Sequence, residues 1–244
     1  MSTTSIIDKL KEIRDKNLVE VFVPSSSTVF KFKQLNLKQQ KDLIKTGLEG
    51  ALSGIYLDNV INDIITSNST TDYSYLITDK LPIILGLRAA SLGTICKIEE
   101  KSVDFKPLLE RQLSFEADAV KQLDFNGLIH VNLTVPTIEK DVLTNKAQLL
   151  ELSADKDLKV SDAIGSLYVY EIVKFIDSVK IGDEVLSFKS IQVKDMVKVV
   201  ESLPATLNNE VIKFIQSFRA KENEYLTLND NTIAVDARFF TLDS

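Results

Sequence analysis

Residues 18–33, LVEVFVPSSSTVFKFK, constrain the fold more than any other stretch of the chain. Val19, Val21 and Val23 alternate with Glu20 and Phe22. After a polar break at residues 24–27, Val29, Phe30 and Phe32 alternate with Lys31 and Lys33. A period of two is the mark of a β-strand. A break this short joins only antiparallel neighbours, because a parallel pair needs a crossover of about a dozen residues or more. The layout recurs. RQLSFEADAVKQLDFNGLIHVNLTV predicts strands over 112–118 and 127–135, and KIGDEVLSF predicts a turn and strand around Gly182 and Asp183. KENEYLTLNDNTIAVDARFF predicts two short strands around a polar turn, followed by Phe239 and Phe240. No strand–helix–strand alternation links these segments. The expected class is α+β: helical segments with inserted antiparallel β-hairpins and no parallel Rossmann-type sheet.

The helices lie between the hairpins. Ile6, Ile7, Leu10 and Ile13 fall at helical spacing over residues 2–16. Such a helix docks on its own domain or on a partner, and self-docking is the expected outcome. Asn36 followed by Gln39 has the form of a capping box and opens a long apolar stripe running to residue 64. A short helix is expected around 73–77 and a longer one over 80–92, with Pro82 in its first turn. Residues 138–152 are ambiguous between strand and helix. Ser161 is an expected N-cap for an apolar helix, and two more helices follow, the first stopped by Pro204. A change of character near residue 155 suggests two regions. Residues 1–155 would hold the first hairpin, helices and a mid-chain hairpin, and 156–244 a helical region ending in a hairpin; the two could equally form one compact unit.

Composition narrows the function. Over 244 residues the net charge is −6 and the sequence pI about 5.0, with lysines and acids interspersed. A basic face is the usual mark of nucleic-acid binding, so no direct nucleic-acid partner is expected. No run approaches the roughly 18 apolar residues of a membrane span. The start lacks the basic leader and apolar block of a signal peptide, which points to a cytoplasmic site of synthesis.

The residues that carry chemistry are sparse. His130 is the single histidine and Cys96 the single cysteine. A Ser-His-Asp or Cys-His centre would need one of them to meet partners that no motif supplies. Gly47, Gly50 and Gly54 do not form a phosphate loop, since no Gly-Lys-Ser/Thr ending follows. Close approach of another backbone, or a helix break, is the better account of them. The acids Glu99, Glu100, Asp155, Asp157, Asp183 and Glu184 sit near turns among lysines and read as solvated. We therefore assign no catalytic residue, no cofactor and no metal.

Taken in order, the parts resemble one family. The hairpin and Lys-rich helix start VEVFVPSSSTVFKFKQLNLKQQKDLIKTGLEG come first, then the Arg-containing LRAASLG. VVESLPATLNNEVIKFIQSF and the closing KENEYLTLNDNTIAVDARFF follow. In this order they resemble the baseplate hub protein family of T-even-like contractile-tailed bacteriophages. Several relatives in the family it resembles carry Cys-x-x-Cys pairs at such hairpins, in the manner of zinc ribbons. This chain has none, so its hairpins must be held by strand pairing and packing.

The resemblance implies a non-enzymatic structural or assembly component of the tail baseplate hub, acting by protein–protein binding. Its partners would be other phage tail or baseplate proteins. It would reside in the host cytoplasm during assembly and then in the virion. Alternatives are a baseplate assembly chaperone absent from the finished virion, an unrecognised cytoplasmic enzyme and a host adaptor. In the terminal hairpin, Leu226, Leu228, Ile233 and Val235 offer an apolar face, and Phe239 and Phe240 are candidate interface anchors.

Overall fold

The computed structural model describes residues 3–48, 53–98, 101–111, 113, 120–154 and 160–241. The chain divides into two compact units. Unit 1 comprises Met1–Ser114 with Glu222–Ser244, and unit 2 comprises Phe115–Lys221. This is not the division expected at residue 155. The chain leaves unit 1, forms unit 2 and returns, so the last residues belong with the first.

Unit 1 opens with helix α1 (Thr3–Lys16) and the hairpin of β1 (Leu18–Val23) and β2 (Thr28–Lys33). The strands pair from Leu18↔Lys33 to Val23↔Thr28, as the alternation requires. The turn is fixed from outside. Buried Asp79 accepts from Ser25 N at 2.9 Å, from Ser25 Oγ at 2.6 Å and from Leu76 N at 2.8 Å. Burial raises its pKa above the ordinary carboxylate value, against the pull of those three donors.

Helices α2 (Leu37–Leu48), α3 (Ser53–Asn68) and α4 (Lys80–Leu92) follow. The capping box at the start of α2 is present in both directions: Gln39 N donates to Asn36 Oδ1 at 2.9 Å and Asn36 N to Gln39 Oε1 at 3.1 Å. The short helix expected at 73–77 does not form. Tyr73 and Tyr75 instead stack edge-on with Phe30, at 5.0 and 5.9 Å, and only a 3-10 turn (Ile77–Asp79) precedes α4. A second hairpin, β3 (Ile95–Ile98) with β4 (Lys101–Asp104), and the single turn α5 (Lys106–Leu109) complete this part.

Unit 2 is built on a four-stranded antiparallel sheet in the order β5-β6-β7-β8. Its strands are β5 (Val120–Phe125), β6 (Ile129–Thr134), β7 (Ile176–Ile181) and β8 (Glu184–Ser187). The mid-chain hairpin is therefore displaced from the expected one. Of its expected first strand, residues 112 and 114–118 lie outside the described residues, and VKQLDF is itself β5 rather than the connection. Asn126 and Gly127 both take left-handed backbone (φ 55 and 68), which suits those residue types and reverses the chain immediately after Phe125.

Between β6 and β7 run α6 (Ile138–Ala154) and α7 (Val160–Phe175); α8 (Val193–Ser202) and α9 (Ala205–Leu226) follow β8. Val131, Leu133, Ile176 and Val179 are buried. Phe175, Phe214 and Phe218 form an aromatic cluster, with centroids 4.9–6.2 Å apart. Helix α9 belongs to unit 2 through Lys221, and its last residues belong to unit 1. The terminal hairpin is much shorter than expected, because α9 runs on through KENEYL. β9 (Thr227–Leu228) and β10 (Asn231–Thr232) are two residues each, joined by left-handed Asn229 and Asp230. The architecture is α+β with antiparallel hairpins.

Candidate protein-interaction surface

No constellation for chemistry assembles among the described residues. His130 lies on β6 and pairs across to Asp124 on β5, Nδ1 to Oδ2 at 2.9 Å. It belongs to a polar ladder on one sheet face, in which Gln122 Nε2 donates to Asn132 and Asn132 Nδ2 to Ser178 Oγ. Cys96 is buried on β3. Asp183 and Glu184 are exposed at a turn, while Glu99, Glu100, Asp155 and Asp157 lie outside the described residues. Among the described residues no group of three His, Cys, Asp or Glu side chains is placed to hold a metal ion. No helix among them is long and apolar enough to cross a membrane.

Five of the six candidate interface residues are buried. Phe240 has no exposed surface and Phe239 is 3% exposed; Leu226, Leu228 and Ile233 are also buried, and Val235 is half-buried. A side chain enclosed by its own unit has no face to offer a partner. The physical reason is a set of anchors distant in sequence. Asp236 caps the 3-10 turn (Ala237–Phe240), its Oδ1 accepting from Arg238 N at 2.9 Å. Phe239 O accepts from Nε of buried Arg88 at 3.0 Å, and Phe240 O from Gln40 Nε2 at 2.9 Å.

Arg88 also donates to Gly93 O and Ile95 O, and its guanidinium carbon lies 5.2 Å from the ring centres of both Phe105 and Phe239. Gly47 of α2 makes room for the turn: a Cβ there would meet Ala237 Cβ at 2.6 Å. That is the close approach expected of one of these glycines. Gly54 has nothing within 4 Å of such a Cβ, and Gly50 lies outside the described residues. The end of α9 is held in the same way. Arg111 NH1 donates to the carbonyls of Glu224, Tyr225 and Thr227, and Tyr225 OH donates to Leu108 O at 3.1 Å. The terminal segment is a buried strap that closes unit 1.

Exposed apolar surface lies elsewhere. On α1, Ile6 is 48% exposed, Ile7 47%, Leu10 60% and Ile13 57%. The stripe that was expected to dock on its own domain faces solvent. Near the end of the helix, Asp15 pairs with Lys33 of β2 at 3.1 Å. A helix of 14 residues is marginal in water when nothing packs on its apolar face.

A second apolar surface is on α6, whose buried face joins Ile138 and Leu152 to four polar residues. Asp141, Thr144, Asn145 and Gln148 are buried, while Leu143 and Leu150 are exposed. Asp141 Oδ1 meets Lys174 Nζ of α7 at 2.7 Å, and Tyr170 OH donates to Glu151 Oε2 at 2.7 Å. Burial and that carboxylate acceptor both push the Tyr170 pKa up. Among the described residues, the sheet of unit 2 ends in β5 on one side and β8 on the other, each paired on a single flank. Edge strands of this kind can accept a further strand.

Among the described residues, the surface features that stand out are an exposed apolar helix stripe and the edges of an antiparallel sheet. Residues 16–225 match the family model of the T4 bacteriophage base plate protein. The match covers most of the chain, and the chain belongs to that family of phage baseplate proteins. No curated protein matches it, and no solved structure matches it. The matched span stops at Tyr225, so the two-residue strands and the terminal strap lie beyond it. All of α1 except Lys16 lies before it.

Proposed function

We propose that this chain is a non-enzymatic component of the baseplate hub of a contractile phage tail, working by protein–protein binding. Family membership supports the baseplate, and the resemblance of its ordered parts to hub proteins supports the hub. The observation that carries the binding mode is the α1 stripe, four large aliphatic side chains about half exposed on one helix. Burying such side chains stabilises an interface by roughly 1.5–3 kcal/mol each relative to full exposure. The partners are other tail proteins, and the edges β5 and β8 are secondary places for them.

Mass spectrometry of purified virions beside a lysate of infected cells tests the proposal. The expected result is the chain in finished particles at a fixed ratio to other tail proteins. Abundance in the lysate with absence from particles would replace the structural role by that of an assembly chaperone. Absence from tail complexes in the lysate as well would overturn the baseplate role altogether.

A further inference from the structure

The charges of α1 are sorted around its exposed stripe. At 100° per residue, Ile6, Leu10 and Ile13 follow the four-then-three spacing of a coiled-coil seam, with Ile7 beside it. Lys9 and Lys16 border the seam on one side. Lys11 lies on the other, beyond Ile7, while Arg14 falls between Leu10 and Ile7 and is half-buried. The three acids, Asp8, Glu12 and Asp15, occupy the opposite face. Asp15 on that acidic face is tied to Lys33 of β2. The apolar seam faces solvent together with Lys9, Lys11 and Lys16.

We infer that the occupant of this seam is an amphipathic helix of another tail protein, one whose own apolar stripe is bordered by Asp and Glu. The inference rests on the binding role proposed above and names the chemistry of the partner. A second copy of this chain fits poorly. Parallel pairing sets Lys9 against Arg14, antiparallel pairing sets Lys9 against Lys16, and both repel. An anionic lipid surface also fits poorly. Helices that lie on membranes carry Lys and Arg across the polar face. Here the centre of the polar face is acidic.

The test uses the full chain and two synthetic helical peptides with the same leucine seam, one bordered by Glu and one by Lys. Binding is read by fluorescence anisotropy at low and high salt. The Glu-bordered peptide should bind about tenfold or more tightly than the Lys-bordered one, with the gap narrowing as salt screens it. Lys9→Glu with Lys16→Glu should reverse the preference. Because the α1 seam is not part of either core, the thermal melt of this variant should match the parent.

Equal binding of both peptides, or binding of neither, would overturn the inference. So would self-association that Leu10→Asp abolishes, or tighter binding to vesicles of phosphatidylcholine with phosphatidylglycerol. The same charge-reversed variant in infected cells separates this inference from the proposal beneath it. If the parent chain is missing from tail complexes, the baseplate role fails. If parent and variant enter particles equally, that role stands and the acidic-helix partner is wrong.

Discussion

Helix α1 and the strap after α9 carry comparable apolar loads and meet opposite fates. The strap buries Ile233, Ala237, Phe239 and Phe240, while α1 leaves Ile6, Ile7, Leu10 and Ile13 about half in water. The difference lies in what receives each segment. The strap meets a surface prepared for it. Gly47 lets its backbone come within van der Waals reach of α2, and Arg88 and Gln40 satisfy the carbonyls of Phe239 and Phe240. Backbone groups left unpaired in an interior cost as much as a lost hydrogen bond, so a segment without such donors gains little by burial. On the side of α1 that meets β2, the tie is the Asp15–Lys33 ion pair, and ion pairs at this exposure are worth roughly 0–1 kcal/mol. Apolar content alone does not decide which segment becomes core.

The sharpest way to break the comparison is to empty the strap. Phe240→Ala removes a fully buried ring and should destabilise unit 1 by about 3–5 kcal/mol. Urea unfolding would show this as a lower midpoint, and amide exchange of residues 237–241 should accelerate with it. Unchanged exchange there would mean that the strap is not held by its aromatic packing.

A smaller effect tests the surface that receives the strap. Gly47→Ala places a methyl group 2.6 Å from Ala237 Cβ and should cost about 1–3 kcal/mol through overpacking. Adding Ala237→Gly removes that methyl contact, although Ala237 N remains 2.9 Å away, so recovery should be partial. A full, independent sum of the two losses would show that the two residues do not meet.

Smaller again is the tie at the end of α9. Tyr225→Phe loses the bond to Leu108 O and should cost about 1 kcal/mol at neutral pH. Burial pushes the Tyr225 pKa up to about 12 from its ordinary 10.0. A folded-state pKa above the unfolded value means that the folded chain holds its proton more tightly. The contribution is therefore complete below pH 10.0 and is lost as pH rises through about 12. The stability gap between the parent and Tyr225→Phe should close across that window. A gap that widens with pH would reverse the assignment of burial as the cause.

Much of this architecture is legible in the sequence, and the parts that are not share a cause. The β1–β2 hairpin and the Asn36–Gln39 box depend on residues close in the chain, and both form as the spacing predicts. Helix α6 is ambiguous in the sequence because, between buried Ile138 and Leu152, its buried positions hold Asp141, Thr144, Asn145 and Gln148, so the hydrophobic period that signals a helix face is interrupted. The burial of Asp141 is explained only once Lys174 of α7 arrives beside it. The hairpin β3–β4 is hidden by its charged alternation, and the mid-chain hairpin is displaced because the turn at Asn126 and Gly127 outweighs the apolar run before it. For the candidate site the gap is wider. Phe239 and Phe240 look like interface anchors in sequence, and their burial depends on Arg88, Gln40 and Gly47, over 150 residues away. The stripe on α1 is plain in the sequence, but its exposure is a fact about the rest of unit 1.

The last prediction is the smallest in stability and concerns α1 directly. Leu10→Ser replaces the most exposed side chain of the stripe, which is 60% exposed. With so little burial to lose, unit 1 should keep its unfolding free energy to within about 0.5 kcal/mol. The strap and α1 are then separated by one measurement on each. Phe240→Ala lowers stability and leaves the α1 seam intact, whereas Leu10→Ser leaves stability and removes the centre of the seam. In particles, the second variant should be depleted relative to the parent although the isolated proteins melt alike. If Leu10→Ser instead lowers the melting temperature as Phe240→Ala does, α1 packs on its own unit in solution, and the stripe is core after all.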